Sequence, residues 1–472
     1  AYEISACLVG SERCIRDRCS GVWVAHGSGD ADRETSDEHG RTPVPPEDPS
    51  YTLRRVWLSR EEEQGYYYGF ANEALWPLCH IACTAPRFDA SDWEHYRRVN
   101  RKFAEAVLEE VDGEPAVVFV QDYHFALLPR MLREARPDLV VIQFWHIPWP
   151  NREVFRICPW QEEILDGLLG NDLLAFHIQY HCNNFLETVD RALESRVEMD
   201  RFAVTRGGKT TLVRPQPISI DFDRAAAVGP GEAGEEMRLR RRLGLHDLPV
   251  LLGVERVDYT KGIPERLRAL DRLLTLHPDL KGRFVYLQVG SPSRVHIPAY
   301  RRLGEQIDAL VEQINWRHGN HAWRPVVYLH EHHSQERLYR LYRMAHGCVV
   351  SPLHDGMNLV AKEFVAARTD NRGVLVLSHF AGAAQELTDA LLVNPFAVDA
   401  FAETLRQALR MPPEEQERRM TRMRQQVADN NIYRWAGMLL SEAGKLFGAR
   451  PPEEVHVLEA PALEEELAAV SG

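Results

Sequence analysis

Residues 351–363, SPLHDGMNLVAKE, follow the apolar run Cys348–Val350 and lead into Phe364-Val-Ala-Ala, which reads as strand, tight turn and helix. Asp355-Gly356 supplies the turn. A helix that opens there presents unpaired backbone N–H groups and the positive end of its dipole, a setting that suits the phosphates of a nucleotide. Glu363 lies one helical turn beyond Leu359, so its carboxylate reaches hydroxyls held at that helix start. Asp355, at the strand tip, faces the same space. Taken alone, the stretch reads as an ordinary strand-to-helix corner with Asp as a cap. The flanking sequence changes that reading.

Upstream, the strand Val250–Val254 runs into Glu255-Arg256-Val-Asp-Tyr-Thr-Lys261-Gly262, and Phe284–Val289 runs into Gly290-Ser-Pro-Ser-Arg294. Arg256, Lys261 and Arg294 would then be three cations at the edge of one sheet. Fixed cations there suit a leaving diphosphate, whose developing charge is stabilised where water is excluded. Further strands are expected at Val326–Leu329 and Val374–Ser378, with helices between them and a first helix at Glu236–Leu243. Unalternating apolar strands separated by helices predict a parallel sheet covered on both faces.

The first part of the chain repeats the pattern. Strand Ala116–Val120 ends in Gln121-Asp122, and strand Leu139–Trp145 ends in His146-Ile-Pro-Trp-Pro. Helices are expected at Trp93–Val111, Phe125–Ala135, Trp160–Leu169 and Cys182–Leu193, with a further strand at Leu173–Phe176. Before them come a strand near residues 20–27, an exposed loop over 28–50, strand Tyr51–Leu58, and a helix Arg60–Leu75 closed by Trp76-Pro77. Ligand residues of parallel sheets gather beyond the strands' carboxyl ends, so Asp122 and His146 are candidates on that ground alone. Gly207-Gly-Lys-Thr-Thr has the tail of a phosphate-binding loop but lacks its upstream Gly and its helix, and reads as a type I′ hairpin turn within Ala203–Val213.

The predicted architecture is therefore α/β, two Rossmann-like halves facing across a cleft. Residues 1–223 form the first, 224–430 the second after a linker at 224–236, residues 431–450 a helix returning toward the first half, and 451–472 an acidic tail.

A net charge of −13 over 472 residues speaks against non-specific nucleic-acid or anionic-membrane binding. No apolar run reaches bilayer length and no signal-peptide layout opens the chain, so a cytoplasmic protein is expected. Eight cysteines without a paired framework predict reduced thiols. Cys79, His80 and Cys83 hint at zinc, but no second pair at ligand spacing follows, and no metal is expected.

Six stretches, YYYGFANEALWP, VFVQDYHFALLP, FWHIPWP, VERVDYTKGIPER, HDGMNLVAKE and VLSHFAGAAQEL, together resemble the trehalose-6-phosphate synthase family of retaining glycosyltransferases, over residues 51 to about 447. The resemblance implies a GT-B fold and glucose transfer from a nucleotide-glucose donor (UDP-, GDP- or ADP-glucose) to glucose 6-phosphate. No cofactor is implied beyond the co-substrate, a separate phosphatase would act downstream, and a homo-oligomer is compatible. By position it makes Arg256 and Lys261 the diphosphate pair, Glu363 the ribose carboxylate and His333 a contact to the base. Asp355, Gly356, Met357 and Asn358 would hold the donor sugar, with Leu359 and Val360 offering backbone N–H groups to phosphate. His146 would stand beside the anomeric carbon, and Tyr67, Trp76, Asp122 and Arg294 on the acceptor side, with catalysis assigned to Asp122, His146, Arg256 and Lys261.

The same resemblance implies same-face attack, in which the leaving diphosphate takes the acceptor's proton, and a cleft that closes on the donor. Departures are a first segment, residues 1–20, without the family's Gly-Gly loop, although Arg13, Arg16 and Arg18 are there, with His26 in place of Trp and His354 in place of Arg. Alternative readings are glucosylglycerol-phosphate synthesis, another sugar-phosphate acceptor, or a catalytically weak sugar-phosphate sensor.

Overall fold

A computed structural model describes residues 21–29, 31–81, 84–229 and 235–448. Residues 1–20, including Arg13, Arg16 and Arg18, Cys83 of the zinc hint, and the acidic tail 451–472 lie outside the described residues.

Two six-stranded sheets carry the chain. In the first, β4 (Val117–Gln121), β5 (Val140–Phe144), β6 (Leu173–Phe176) and β9 (Lys209–Pro215) run parallel, and β8 (Ala203–Arg206) and β7 (Arg196–Glu198) add antiparallel at the edge. The β8–β9 turn has Gly207 and Gly208 at φ 58° and 79°, as a type I′ hairpin requires. The second sheet is wholly parallel, in the order β12 (Val326–Leu329), β11 (Val285–Ser291), β10 (Val250–Arg256), β13 (Gly347–Val350), β14 (Val374–Ser378), β15 (Leu391–Val393). Strand order reverses between β10 and β13, so a crevice opens there beyond the strands' carboxyl ends.

Burial explains why these strands do not alternate. Along β5, Val141 packs into a core with Trp145, Trp149 and Phe176, while Val140, Ile142 and Phe144 pack on the other face with the second sheet's core. The last helix, Ile432–Gly448, belongs to that second face. Its Trp435 meets Phe144 of the first sheet edge-on at 5.1 Å and Phe119 at 6.3 Å.

Several local expectations are corrected. The segment 28–50 is not a plain loop: it holds a short helix, Asp32–Thr35, and β2 (Arg41–Val44), which with β1 (Val22–His26) and β3 (Tyr51–Val56) forms a separate three-stranded sheet. Arg60–Glu63 is α-helical, but Gln64–Leu75 winds as a π-helix. Gly65 and Gly69 there approach the helix Ala90–Val111 so closely that a Cβ would lie 2.6 Å from the His95 ring and 2.4 Å from the Asp92 carboxyl carbon. Nor does Trp76-Pro77 end the helix, which runs on to His80. Pro77 has no N–H to give back to Glu73, and the Glu73 carbonyl accepts instead from Arg87 N at 2.7 Å. Part of the expected linker is helical, Phe222–Ala227, while the helix expected at Glu236–Leu243 runs over Glu235–Arg242. Strand β15 is too short a run to stand out in sequence. Among the described residues no helix is long and apolar enough to cross a membrane.

Candidate active site

At the switch point of the second sheet, Lys261 closes a 3₁₀ turn, Tyr259–Lys261, immediately beyond β10. Its ammonium donates to Asp355 Oδ2 at 2.5 Å, and Asn358 Nδ2 donates to the same oxygen at 3.1 Å. Asp355 itself is fixed by its backbone, whose N–H donates to the Phe380 carbonyl at 3.0 Å. Burial would raise the Asp355 pKa, but the Lys261 charge and hydrogen bond hold it below the ordinary value; on Lys261 the charges of Asp355 and Glu255 likewise outweigh burial and raise its pKa.

Beneath Lys261 lies Arg266, wholly buried, with bonds to Ser351 Oγ (2.9 Å), Glu255 Oε1 (3.3 Å) and the Lys261 carbonyl (3.4 Å). Gly253 makes room for it, since a Cβ there would sit 2.4 Å from Arg266 Nη1.

Asn358, at φ 74°, turns the chain into the helix Leu359–Ala367, and the half-buried Leu359 and Val360 open that helix. Met357 is buried, its carbonyl accepting from Ala383 N at 2.8 Å. One turn on, Glu363 accepts a hydrogen bond from the hydroxyl of Tyr342 at 3.1 Å. Burial lifts the Glu363 pKa to about 7 despite that bond. His333 stands apart, after the edge strand β12, its enclosed ring 3.6 Å from Glu331. Two strand spacings, roughly 10 Å, separate β12 from β10.

The first sheet faces this crevice with Asp122 and His146. Asp122 has φ 65° and ψ −178°, a region that side chains other than glycine's rarely occupy, and it is held there by its own carboxylate. Oδ1 accepts both the Tyr123 N–H (2.8 Å) and the His146 N–H (3.1 Å), which leaves Oδ2 aimed outward, 4.0 Å from His124 Nδ1. Burial lifts the Asp122 pKa to about 7, partly offset by those two N–H groups and by the charge of Arg294. His146 Nε2 pairs with Gln121 Oε1 at 2.8 Å, and burial keeps its ring neutral, its pKa well below the ordinary value. Tyr67 stacks on His124, centroids 5.5 Å apart.

The two halves meet at the site. Arg294 and Arg256, both from the second, lie 4.4 and 5.8 Å from the ring centre of Trp76, which belongs to the first. His354 Nδ1 donates to the His80 carbonyl at 3.0 Å. Gly356 packs so tightly that a Cβ would fall 2.6 Å from the His146 carbonyl and 2.8 Å from His177 Cδ2. Thus Asp122, His146, Trp76, Arg256, Lys261, Arg294, Asp355 and Gly356 converge, and Tyr67 flanks them. Sequence reasoning missed His177, Gln121, Tyr342, Tyr300 and Asp258. His177 was accessible to it, since it follows β6 as Asp122 follows β4. Gln121, which ends β4, and Asp258, just past β10, carry the same strand-end signal, whereas Tyr342 and Tyr300 are revealed only by contact.

The model for glycosyltransferase family 20 matches residues 4–445. The chain belongs to glycosyltransferase family 20. It is 41% identical over 417 residues to the trehalose-6-phosphate synthase of Mycobacterium sp. strain KMS, covering 86% of this chain and 85% of the relative. It is 40% identical over 418 residues to a bifunctional trehalose-6-phosphate synthase/phosphatase of Thermoproteus tenax, covering 88% of this chain but only 56% of that protein. The structure also aligns, with a TM-score of 0.84 and 32% identity, to an α,α-trehalose-phosphate synthase (UDP-forming) of Burkholderia xenovorans solved with glucose 6-phosphate, over 92% of this chain and 96% of that one. The family 20 chain thus has the GT-B fold of these structural neighbours. Among its described residues no group of three His, Cys, Asp or Glu side chains is arranged to hold a metal ion. Cys79, Cys158, Cys182 and Cys348 are free and buried.

Proposed function

We propose that this chain is a retaining glucosyltransferase that moves glucose from a nucleotide-glucose donor to glucose 6-phosphate, giving trehalose 6-phosphate. The observation that carries this is the meeting of Arg256 and Arg294 with Trp76, and of Arg294 with Asp122, across the switch-point crevice that Lys261 lines with Asp355. A donor needs two cations for its diphosphate, a phosphorylated acceptor needs one more, and the sugar between them needs acceptors for its hydroxyls. The relatives' names supply the substrate class, and the UDP-forming Burkholderia protein makes UDP-glucose the first donor to test.

In this reading the anomeric hydroxyl of glucose 6-phosphate forms the new bond to the donor's C1 as the bond from C1 to the diphosphate breaks on the same face. The hydroxyl proton passes to the departing diphosphate oxygen. Arg256 and Lys261 stabilise the charge developing there, and the N–H groups of Leu359 and Val360 add the helix's positive end. Asp355, already ion-paired to Lys261, holds donor hydroxyls with Asn358, and Glu363 holds the ribose. His146, neutral and with its Nε2–H on Gln121 Oε1, keeps Nδ1 as an acceptor for a hydroxyl of the donor sugar beside C1, and Asp122 Oδ2 accepts from the acceptor's hydroxyls while Arg294 and Tyr67 face its phosphate. His333 lies on the side where the base would sit.

Incubation with UDP-, GDP- and ADP-glucose, each with and without glucose 6-phosphate, tests this. Nucleotide release that depends on glucose 6-phosphate and yields a non-reducing disaccharide phosphate is expected. Release independent of any sugar phosphate, or none with any pair, contradicts the proposal.

A further inference from the structure

Asp258 lies between Arg256 and Lys261 and is entirely buried. Its Oδ1 accepts from Thr260 N at 2.9 Å and its carbonyl from Lys261 N at 3.0 Å, so it caps the turn that aims Lys261. Its Oδ2 faces the other way. There it accepts the hydroxyl of Tyr300 at 3.2 Å, and the Tyr300 oxygen accepts from Arg294 Nη1 at 2.7 Å; Nη1 lies 3.6 Å from Asp258 Oδ2 itself. Arg294 sits at φ 48°, a left-handed conformation that only fixed surroundings maintain in a side-chain-bearing residue. Its guanidinium is enclosed between the Tyr300 ring, 5.7 Å away, and the face of Trp76. Burial would raise the Asp258 pKa, yet Arg294, Arg256 and Lys261 together hold it below the ordinary value. One carboxylate therefore serves three cations.

Given the transferase reading above, we propose that Asp258 and Tyr300 are positioning residues that lock the diphosphate cations and the acceptor-phosphate cation into one frame, with Tyr300 setting the preference for a phosphorylated acceptor. A guanidinium recognises phosphate through N–H groups held in a set direction, so its orientation matters as much as its charge. Tyr300 bonds Arg294 directly; toward the donor side it reaches Asp258 Oδ2 through its hydroxyl and packs its ring on Tyr259, 5.2 Å away, a packing that Phe retains. Removing its hydroxyl leaves Arg294 charged, stacked on Trp76 and 3.6 Å from Asp258 Oδ2, but takes away the 2.7 Å bond that sets the direction of Nη1. An acceptor without a phosphate makes no use of Arg294 and is indifferent to that change. Asp258 reaches both sides, so its loss disturbs the Lys261 turn as well.

The test uses the full chain and Tyr300→Phe, with UDP-glucose as donor and glucose 6-phosphate or glucose as acceptor, together with calorimetric titration of UDP and of glucose 6-phosphate onto the UDP-saturated protein. Tyr300→Phe is expected to weaken glucose 6-phosphate about tenfold in KM and in affinity, to lower the preference for glucose 6-phosphate over glucose by the same factor, and to leave UDP affinity within about twofold. Asp258→Asn is expected to weaken both UDP and glucose 6-phosphate. Equal losses on both acceptors, or unchanged glucose 6-phosphate affinity in Tyr300→Phe, overturn the inference. A wild-type protein that binds glucose 6-phosphate without releasing UDP in its presence defeats the transferase reading, and the affinity comparison then still decides the role of Tyr300. Absence of glucose 6-phosphate binding to the wild type overturns both.

Discussion

Lys261 Nζ lies 2.5 Å from Asp355 Oδ2, with both side chains nearly withdrawn from water. The pair joins the two strand ends on either side of the switch point, and it makes the two proposed diphosphate cations unequal in what they do for the fold. Arg256→Ala removes a half-buried cation; its expected effect is a fall in kcat of ~10²–10³-fold, the scale for losing one donor to a developing oxyanion. Lys261→Ala loses as much turnover and also strands Asp355, at about 3–5 kcal/mol of stability. Thermal unfolding beside steady-state kinetics checks this, and comparable melting temperatures for the two variants would show that the ion pair does not support the fold.

Asp122→Asn preserves the atom that matters for structure, because Oδ1 takes both backbone N–H groups. What it removes is the acceptor at Oδ2, and the acceptor-dependent rate should fall by ~10²-fold. Stability should move the other way with pH. The folded-state pKa of about 7 lies above the unfolded carboxylate value, so the folded wild type holds a proton that the unfolded chain releases. Wild type therefore loses stability from this group as pH rises from about 4 to 7, and Asn does not. Denaturant titrations at pH 5 and pH 8 should find Asp122→Asn gaining on wild type by ~2–4 kcal/mol at the higher pH. A difference that does not grow with pH would mean that Asp122 is ionised in the free protein.

Glu363, lifted to about 7 by burial, meets the donor as a hydrogen-bond acceptor in the proposed site. Ribose hydroxyls favour its ionised form, so binding lowers its pKa and affinity rises with pH until the free group is ionised. Between pH 6 and pH 8 the affinity for UDP-glucose, measured by calorimetry without acceptor, should increase about tenfold. Glu363→Gln should bind more weakly and without that slope. A wild-type affinity flat across this range contradicts the ribose assignment.

Gly356→Ala places a methyl against the His146 carbonyl and the His177 ring, both on the other half of the molecule. The clash is with backbone, so the halves must part by a fraction of an ångström. UDP should still bind, because its proposed contacts lie on the second sheet, while turnover should fall by ~10²-fold through misplacement of the two substrates. Near-wild-type turnover would show that the Gly356 contact is not part of the reactive geometry.

Much of this architecture was legible in residue order because parallel βα units write themselves as apolar runs separated by helices. Asp122, His146, Arg256 and Asp355 stood out since each follows such a run. The π-helix at Gln64–Leu75 did not, because its winding is set by the close approach of Gly65 and Gly69 to a helix that comes later in the chain. The same holds for the β1–β3 pairing and for the chain from Asp258 through Tyr300 to Arg294, which spans 42 residues between its two oxygens. Local propensity has no access to such partners. Tyr342 is a further case: nothing in its own helix marks it as the residue that donates to Glu363.

The most direct test is the anomeric outcome of the reaction. The protein, UDP-glucose and glucose 6-phosphate would be combined and the product's glycosidic proton couplings read by nuclear magnetic resonance, with UDP release followed in parallel. Stoichiometric UDP and an α,α-1,1-linked disaccharide phosphate are the expected result. A β linkage at the transferred glucose, or UDP released with free glucose as the sole product, would contradict retaining transfer to glucose 6-phosphate.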